Sequence, residues 1–366
     1  MLDIAWEEAG EEFRFGELED DVYDSYGVGN WREWTQLDPF RIRRSFNPYR
    51  YLALLFHVWP AQLQAIVESG IDESYDMRLI RKRSGDFRIL MIPDPRLRWL
   101  QRRMLRNLLS GLPVHRACHG FVRDRKMLTA VEAHRHSRYL LSLDLKDAFS
   151  SVTRKWLLEE LLEQEVGAVK IGKWLALAIT RLCTTLVPGL GLEPRLPQGA
   201  PSSPVLFNFV CRDLDRRLAI FADKMGAIYT RYADNIAISA DGPITELEVR
   251  TLCRIVNEKT PFELNERKTK LMEISGHTNL QVLGVSIRDG ELRLPKRTRR
   301  RLRGALHTAL TKGDVARAAG LLSLPRQIYG EDLPRQIIGK LGEGETIEKQ
   351  LETIYPEGHQ LRLWES

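Results

Sequence analysis

The alternation of strand and helix signals along the chain predicts an α+β fold. An apolar strand at residues 138–144, a strand–turn–strand unit at residues 229–239 and a hairpin at residues 282–294 are interspersed with segments of helical spacing. Elements in such an order pack helices against sheets. The 366-residue chain is 43% hydrophobic, which suits a folded protein of two or three subdomains.

The first third of the chain predicts three helices and one pair of strands. Residues 48–70 are typical of two helices separated at Pro60. Residues 79–92 contain two short strands around the turn Ser84-Gly85-Asp86. A third helix is expected at residues 95–112, where leucines and a methionine recur near helical spacing.

The middle third predicts helices that follow the strand ending at Asp144. Two of them are expected at residues 153–165 and 168–186. The next begins where Ser203 can cap the helix and Pro204 occupies its first turn. Apolar residues then recur about every four positions and predict one buried stripe: Leu206, Val210, Leu214, Leu218 and Phe221.

The last third begins with the strand pair centred on Ala233-Asp234-Asn235. A helix is expected at residues 244–260, and the Asp289-Gly290 pair predicts the turn of the hairpin. The final seventy residues are expected to be mostly helical, beginning with a strongly basic segment.

Charge is distributed unevenly between the two ends. Residues 1–24 contain ten acidic residues and one basic residue, Arg14, for a net charge of −9. Since the whole chain is +6, the remainder carries +15. A basic body favours a polyanionic partner, and the acidic segment is expected to contact a partner or to mask the basic surface.

Composition argues against several classes of protein. No run of about 18 apolar residues and no signal-peptide pattern occur, so we expect a cytoplasmic protein with no membrane partner. The four cysteines lack paired-ligand spacing and predict reduced thiols, not disulfides or a zinc site; they are Cys118, Cys183, Cys211 and Cys253. His134 and His136 are expected to have an ordinary core or surface role.

Three segments together indicate a chemistry. Asp144 ends an apolar strand in Leu143-Asp144-Leu145-Lys146-Asp147-Ala148-Phe149, and Asp234 lies at a hairpin tip in Tyr232-Ala233-Asp234-Asn235. Between them, Leu196-Pro197-Gln198-Gly199-Ala200-Pro201-Ser202-Ser203-Pro204 is a small-residue loop that leads into a helix. Two strand-end aspartates can hold the divalent cations that nucleotidyl transfer requires. Each signal alone is weak, because a lone aspartate there is more often a turn residue.

In order and content these segments resemble motifs A, B and C of reverse transcriptases, D-x-x-x-A-F, P-Q-G-x-x-x-S-P and Y-A-D-D. Residues 264–269 and 282–285 resemble motifs D and E, and residues 85–101 and His119-Gly120-Phe121, with Arg125, resemble the two fingers blocks. The resemblance covers about residues 75–305. It implies a right-hand polymerase fold with fingers, a palm containing an antiparallel sheet, and a helical thumb.

The implied divisions are an acidic N-terminal extension at residues 1–45 and fingers at residues 46–135. The palm, with interleaved fingers helices, would occupy residues 136–280, and the primer grip and thumb residues 281–366.

The resemblance further implies RNA-directed DNA synthesis by two-metal catalysis. Asp144 and Asp234 would hold two Mg²⁺ ions, with Mn²⁺ as an alternative, and the Leu145 carbonyl and Asn235 would be further ligands. Lys268 would approach the leaving pyrophosphate as a charge or proton donor. A solvated surface lysine is the alternative for Lys268.

The same resemblance assigns a nucleotide pocket. Arg88 and Lys82 would meet the triphosphate, and Gln198 and Gly199 would line the pocket. Ala148 and Phe149 are assigned to the same pocket. Phe149 occupies the steric-gate position, where an aromatic ring excludes a ribose 2′-OH and so selects dNTPs. A core role is the alternative for Phe149.

A basic segment follows the last hairpin and would track template–primer phosphates from the thumb. Its bases are Lys296, Arg297, Arg299, Arg300, Arg301 and Arg303. Leu283 and Gly284 would contribute to the primer grip. A solvated helix face is the alternative for the basic segment.

Asn235 departs from the usual second aspartate of motif C. We expect it to tune metal preference toward Mn²⁺ without abolishing catalysis. It also supports a rival function, an inactive RNA-binding scaffold, against which the retained motif residues argue. Untemplated or protein-primed DNA synthesis is a further alternative.

Among reverse transcriptases, the chain is similar to bacterial retron and group II intron-related enzymes. The N-A-x-x-H block appears as Ala130-Val131-Glu132-Ala133-His134 and the V-T-G triplet as Val282-Leu283-Gly284, which leaves retron and other defence-associated enzymes both open. Either implies antiphage defence with a dedicated noncoding RNA as template, a DNA or RNA primer, dNTPs and an effector or partner protein.

Overall fold

The computed structural model describes residues 48–81, 85–162, 164–274, 279–312 and 315–329. The predicted acidic extension at residues 1–45 and Lys82 lie outside these residues. Helices and antiparallel sheets alternate through the described chain, which confirms the α+β fold.

Along the chain, the described helices precede, separate and follow the central strands. They are α1 (Pro48–Phe56), α2 (Pro60–Glu68), α3 (Pro95–Asn107), α4 (Met127–Glu132), α5 (Ala148–Ser151), α6 (Arg154–Leu161), α7 (Lys173–Cys183), α8 (Ser203–Val210), α9 (Arg212–Lys224), α10 (Glu246–Asn257), α11 (Lys296–Lys312) and α12 (Val315–Tyr329).

The described strands form four antiparallel sheets, and the largest has the order β6-β7-β3-β8. The strands are β1 (Tyr75–Arg81), β2 (Phe87–Pro93), β3 (Tyr139–Asp144), β4 (Gln164–Val166), β5 (Val169–Ile171), β6 (Ile228–Tyr232), β7 (Asn235–Ala240), β8 (Lys270–Glu273), β9 (Leu280–Val282), β10 (Val285–Arg288) and β11 (Glu291–Arg293). Strands β1 and β2 pair, as do β4 and β5, and β9, β10 and β11 form a three-stranded sheet.

Strands β3, β6 and β7 of the four-stranded sheet are largely buried on both faces, whereas β8 at its edge is mostly exposed. Leu141 and Ile238 belong to the main core, which extends from Leu52 in α1 to Phe262 after α10. Leu140 and Ala237, whose side chains alternate to the opposite face, pack with residues of β9 and β10. The strands are therefore held from both sides, which fixes the positions of the residues at their ends.

A separate small core joins the last two helices. Leu302 and Leu306 of α11 are buried with Leu322 of α12 and with Leu294, which follows β11. This arrangement confirms the predicted helical character after the hairpin, up to Tyr329.

Most predicted elements agree with the structure, including the turns at Pro60 and at Asp289-Gly290. The predicted helices at residues 153–165 and 168–186 are both shorter, because the hairpin of β4 and β5 lies between α6 and α7. Gly167, with φ of +60°, provides its turn. Val166 and Val169 are three residues apart, which is also a helical spacing, so the apolar pattern did not distinguish this hairpin from the helices on either side.

The predicted cap at Ser203 was wrong. Ser203 is the first residue of α8, and Ser202 precedes it in a helical conformation without a side-chain capping bond. The loop is already turning there, since Ser203 N donates to the Ala200 carbonyl. The predicted single helix is divided at Cys211 into α8 and α9. Leu206, Val210, Leu214 and Leu218 are buried as expected, whereas Phe221 is only half-buried.

The four cysteines and the two histidines lie at different depths in the fold. Cys118, Cys183 and Cys211 are buried free thiols and Cys253 is a half-buried one. His134 is fully buried and His136 is exposed. No helix in the described ranges is long and apolar enough to cross a membrane.

Candidate active site

The central sheet brings Asp144 and Asp234 together. Asp144 ends β3 opposite Asn235, the first residue of β7, and Asp234 lies in the turn between β6 and β7. The turn is clamped to the end of β3, since Leu145 N donates to the Asp234 carbonyl at 2.9 Å. Ala233, with φ of +54°, makes the turn tight enough to point the chain back into β7.

The two carboxylates influence each other. Burial, followed by the negative charge of Asp144, raises the pKa of Asp234 above its usual value, and the nearby charges of Lys268 and Arg88 partly oppose this rise. Asp144 itself is only 6% exposed. Two carboxylates held close together at one end of a sheet favour the presence of a positively charged group beside them.

Lys268 supplies a positive charge at this end of the sheet. Its Nζ donates to both oxygens of Asp144, at 2.8 and 3.0 Å. A short 3₁₀ turn, Glu266–Lys268, carries the lysine, and Asn265 N anchors this turn to the Asp144 carbonyl at 2.8 Å. The predicted motif D lysine thus lies in the site, on a carboxylate.

The donor set at this position suits hard cations. The described residues contain no group of three or more His, Cys, Asp or Glu side chains that could hold a metal. The predicted donors are the two carboxylates, the Leu145 carbonyl and the Asn235 amide oxygen, and Mg²⁺ accepts so small a protein set because it keeps several waters. The Lys268 ammonium on Asp144 shows that a cation is accommodated there. The residues therefore fit the divalent ions implied by the motifs.

Asn235 contacts its neighbour directly. Its Nδ2 donates to Asp234 Oδ1 at 3.0 Å, a bond that an aspartate at this position could not donate when ionised. The amide side chain is exposed at the strand end.

The predicted nucleotide-pocket residues Arg88 and Gln198 lie on β2 and on the loop before α8, and a hydrogen bond joins this strand to this loop. Met91 N of β2 donates to the Gln198 carbonyl at 2.9 Å, and Arg88 is exposed three residues earlier on β2. Gly199 has φ of +121°, and a Cβ there would lie 3.1 Å from the Met91 carbonyl oxygen. Glycine is thus required both by the backbone and by the close approach of the strand.

Phe149 packs against the main core. The ring lies 4.9 Å from the Phe207 ring of α8, centroid to centroid, and is half-buried. Ala148 before it is 5% exposed. The contact is compatible with both a core role and a partly exposed gate.

The predicted nucleic-acid contacts lie on other elements. Leu283 and Gly284 form the turn between β9 and β10, with φ of +51° and +80°. The six bases at residues 296–303 occupy the first two turns of α11, where Lys296, Arg297, Arg300 and Arg301 are exposed while Leu302 packs on α12.

Sequence reasoning missed a buried polar network behind the turn. Arg231 of β6 is fully buried and pairs with Asp215 of α9 through two hydrogen bonds of 2.7 and 2.8 Å. Burial alone would lower the pKa of Arg231, but the Asp215 carboxylate outweighs it and raises that pKa. The available signal was a charged residue on each of two otherwise apolar buried faces.

Comparison with known proteins gives a consistent result. Residues 80–287 match the family described as reverse transcriptase (RNA-dependent DNA polymerase). The chain is 38% identical to the retron Mx65 reverse transcriptase of Myxococcus xanthus over 70% of this chain and 62% of that protein. It is 34% identical to the retron Mx162 reverse transcriptase of the same organism, over 62% of this chain and 51% of that protein. The retron Ec73 reverse transcriptase of Escherichia coli is 28% identical, over 72% of this chain and 84% of that protein.

Solved structures give weaker matches. The telomerase of Candida albicans in complex with a TWJ fragment of telomeric RNA is 12% identical, with a TM-score of 0.41 over 76% of this chain and 59% of that one. The chain spans 62% and 51% of the lengths of the two Myxococcus relatives. Because the family match covers more than half of its residues, the chain belongs to the reverse transcriptase family.

Proposed function

We propose that the protein is an RNA-directed DNA polymerase that makes cDNA by two-metal nucleotidyl transfer. The observation that carries the proposal is the pairing of Asp144 and Asp234 at one end of the sheet, with Lys268 on Asp144. The family match and the retron names of its relatives support it.

In this proposal, Asp144, Asp234, the Leu145 carbonyl and Asn235 hold two Mg²⁺ ions, or Mn²⁺. Bound there, the ions would lower the pKa of the primer 3′-hydroxyl and neutralise triphosphate charge. Arg88 and, outside the described residues, Lys82 contact the triphosphate. Lys268 exchanges its Asp144 contact for the leaving pyrophosphate and supplies charge or a proton there.

Selectivity and affinity would come from the surrounding elements. Gln198 and Gly199 line the nucleotide pocket, and Phe149 excludes the ribose 2′-OH. The bases of α11, with Leu283 and Gly284 at the primer grip, hold the template–primer duplex through its phosphates. The division into fingers (46–135), palm (136–280) and thumb (281–366) belongs to the same proposal.

The biological setting is proposed from the retron relatives. The template would be part of a dedicated noncoding RNA, and the system would act in antiphage defence in the bacterial cytoplasm, with an effector or partner protein. The buried or half-buried free thiols of the described cysteines agree with a reducing compartment.

Primer extension tests the activity. Purified protein is given an RNA template with a DNA primer, dNTPs or NTPs, and Mg²⁺ or Mn²⁺; Asp144→Asn and Asp234→Asn serve as isosteric controls. We expect complementary extension with dNTPs that both substitutions abolish. Phe149→Ala should admit NTPs if Phe149 is the gate.

Two other outcomes would reject the proposal. Products whose sequence is unrelated to the template would indicate untemplated synthesis. Asn235 favours a second candidate, an inactive RNA-binding scaffold, and co-purified cellular RNA without any cDNA, in protein that extends no primer with either metal, would favour it.

A further inference from the structure

Arg231 is the largest fully buried side chain of the described core, and it precedes Asp234 by three residues. Burying a guanidinium is costly unless every donor is used, and an apolar side chain of similar volume would often serve the fold as well. The position of this charge beneath the proposed catalytic turn therefore requires an explanation.

One edge of the guanidinium is occupied by Asp215. Nε and Nη2 donate to the two carboxylate oxygens at 2.7 and 2.8 Å, and the Tyr229 hydroxyl donates to Asp215 Oδ1 at 2.6 Å. Both charged side chains are 0% exposed. A planar guanidinium held by a bidentate pair cannot rotate, so its remaining nitrogen has a fixed direction.

That remaining nitrogen faces the turn. Nη1 donates to the Ala233 carbonyl at 3.0 Å and to Asn208 Oδ1 at 3.0 Å. Ala233 has a left-handed backbone, which is unfavourable for a residue with a Cβ and persists only where surroundings enforce it. Arg231 holds the carbonyl of the peptide that leads from Ala233 into Asp234.

The turn is also confined on its other side. Asn208 Nδ2 donates to the Gly120 carbonyl at 2.7 Å, and a Cβ on Gly120 would lie 2.6 Å from Ala233 N. The backbone around Gly120 runs beside β6, where His119 N donates to the Arg231 carbonyl at 2.7 Å. One network thus joins α8, which follows the Gln198 loop, to the Gly120 loop and the turn.

We propose that Arg231, oriented by Asp215, is a positioning residue that fixes the Ala233–Asp234 peptide and couples α8 to the placement of the Asp234 carboxylate near Asp144. This inference rests on the proposed function, because it assigns a role to a residue that supports that site. Arg231 acts through Asp234 and contacts no substrate itself.

The test uses Arg231→Lys, which keeps the buried positive charge but cannot donate to Asp215, Asn208 and Ala233 together. Mn²⁺ alone is titrated by electron paramagnetic resonance, with Asp234→Asn defining the contribution of this site, and primer extension gives kcat and KM. Substitutions of such supporting residues typically cost about 10–100-fold in metal affinity or activity. We therefore expect Mn²⁺ affinity and kcat to fall about tenfold or more, with KM for template–primer nearly unchanged.

Leu218→Ala is the matched control. Leu218 is buried on α9, as Asp215 is, and the substitution removes core packing without touching the turn. Its Mn²⁺ affinity and kcat should remain near those of the original protein. Equal losses in Leu218→Ala and Arg231→Lys would reduce Arg231 to a general stability role and overturn the proposal.

Asn208→Ala is the second variant, because it leaves the buried ion pair intact if Arg231→Lys does not fold. It should weaken Mn²⁺ binding and kcat in the same direction. Unchanged Mn²⁺ affinity in a folded Arg231→Lys or Asn208→Ala protein would overturn the inference. Mn²⁺ binding is measured without nucleotides, so the result stands apart from whether the protein extends primers.

Discussion

Asn235 places a neutral amide where motif C usually has a second carboxylate. An aspartate there would place a third carboxylate beside Asp144 and Asp234, whereas the amide adds no charge and donates to Asp234 Oδ1. Compared with a site that has aspartate here, the carboxylates therefore repel one another less when no metal is bound, and the site attracts a metal ion less strongly. Asn235 retains an oxygen that can reach a cation, but a neutral one.

Asn235→Asp is expected to increase the apparent Mg²⁺ affinity about three- to tenfold, since an added charge near a divalent ion contributes about 1 kcal/mol even when well solvated. Catalysis should persist, with preference shifted from Mn²⁺ toward Mg²⁺. Primer extension over Mg²⁺ and Mn²⁺ titrations measures both. Asn235→Ala, which removes the Asp234 bond without adding charge, is the control, and an unchanged rate and metal preference in Asn235→Asp would contradict the idea.

At the scale of elements, His134 fastens the segment after α4 to the central sheet. Its ring nitrogens bond the hydroxyls of Ser239 in β7 and Thr230 in β6, both at 2.7 Å. Burial, with a smaller contribution from His119, lowers the pKa of His134 to about 4. The folded protein therefore holds this imidazole neutral where the unfolded chain would protonate it.

Acid should weaken this attachment. Because the folded pKa is about 4 and the usual value 6.5, the stability contribution is present above pH 6.5 and is lost as the pH falls toward 4. The loss amounts to about 3 kcal/mol across that window. Urea unfolding at several pH values should show a shallower pH dependence for His134→Gln than for the original protein. Exposed His136→Gln should retain the original slope, and equal slopes for all three proteins would contradict the assignment.

Elements also differ in how well sequence predicts them. The strands around Asp144 and Asp234 and the Asp289-Gly290 hairpin carry strong local patterns, and the structure has them where expected. The β4–β5 hairpin and the start of α8 do not, because three-residue strands and a loop that is already turning depend on the elements packed around them. Local propensity could not have decided either one.

At the scale of the whole molecule, the strongest feature is the separation of charge. The −9 segment at residues 1–24 accompanies a remainder of +15, and the exposed bases of α11 belong to that remainder. An acidic segment linked to a basic surface competes with nucleic acid through the same salt-sensitive attraction.

Deleting residues 1–24 should therefore tighten binding to an RNA–DNA duplex, by about tenfold at 50 mM salt and progressively less at 200 mM. Fluorescence anisotropy across a salt series measures the change. The matched control keeps the length of the segment but replaces its ten acids with Asn and Gln, and it should bind as the deletion does. Identical affinities for the deletion and the original protein at every salt concentration would exclude masking.

The α+β class follows from local sequence patterns, and the motifs, taken together and in order, indicated Asp144 and Asp234 as the acidic pair. The contact of Asp215 with Arg231, 16 residues later, and the contacts of Asn208 with Arg231 and Gly120 arise from tertiary packing. Buried polar partners on different elements carry no local periodicity, and a guanidinium finds its acceptors only when the helix, the strand and the loop have packed together.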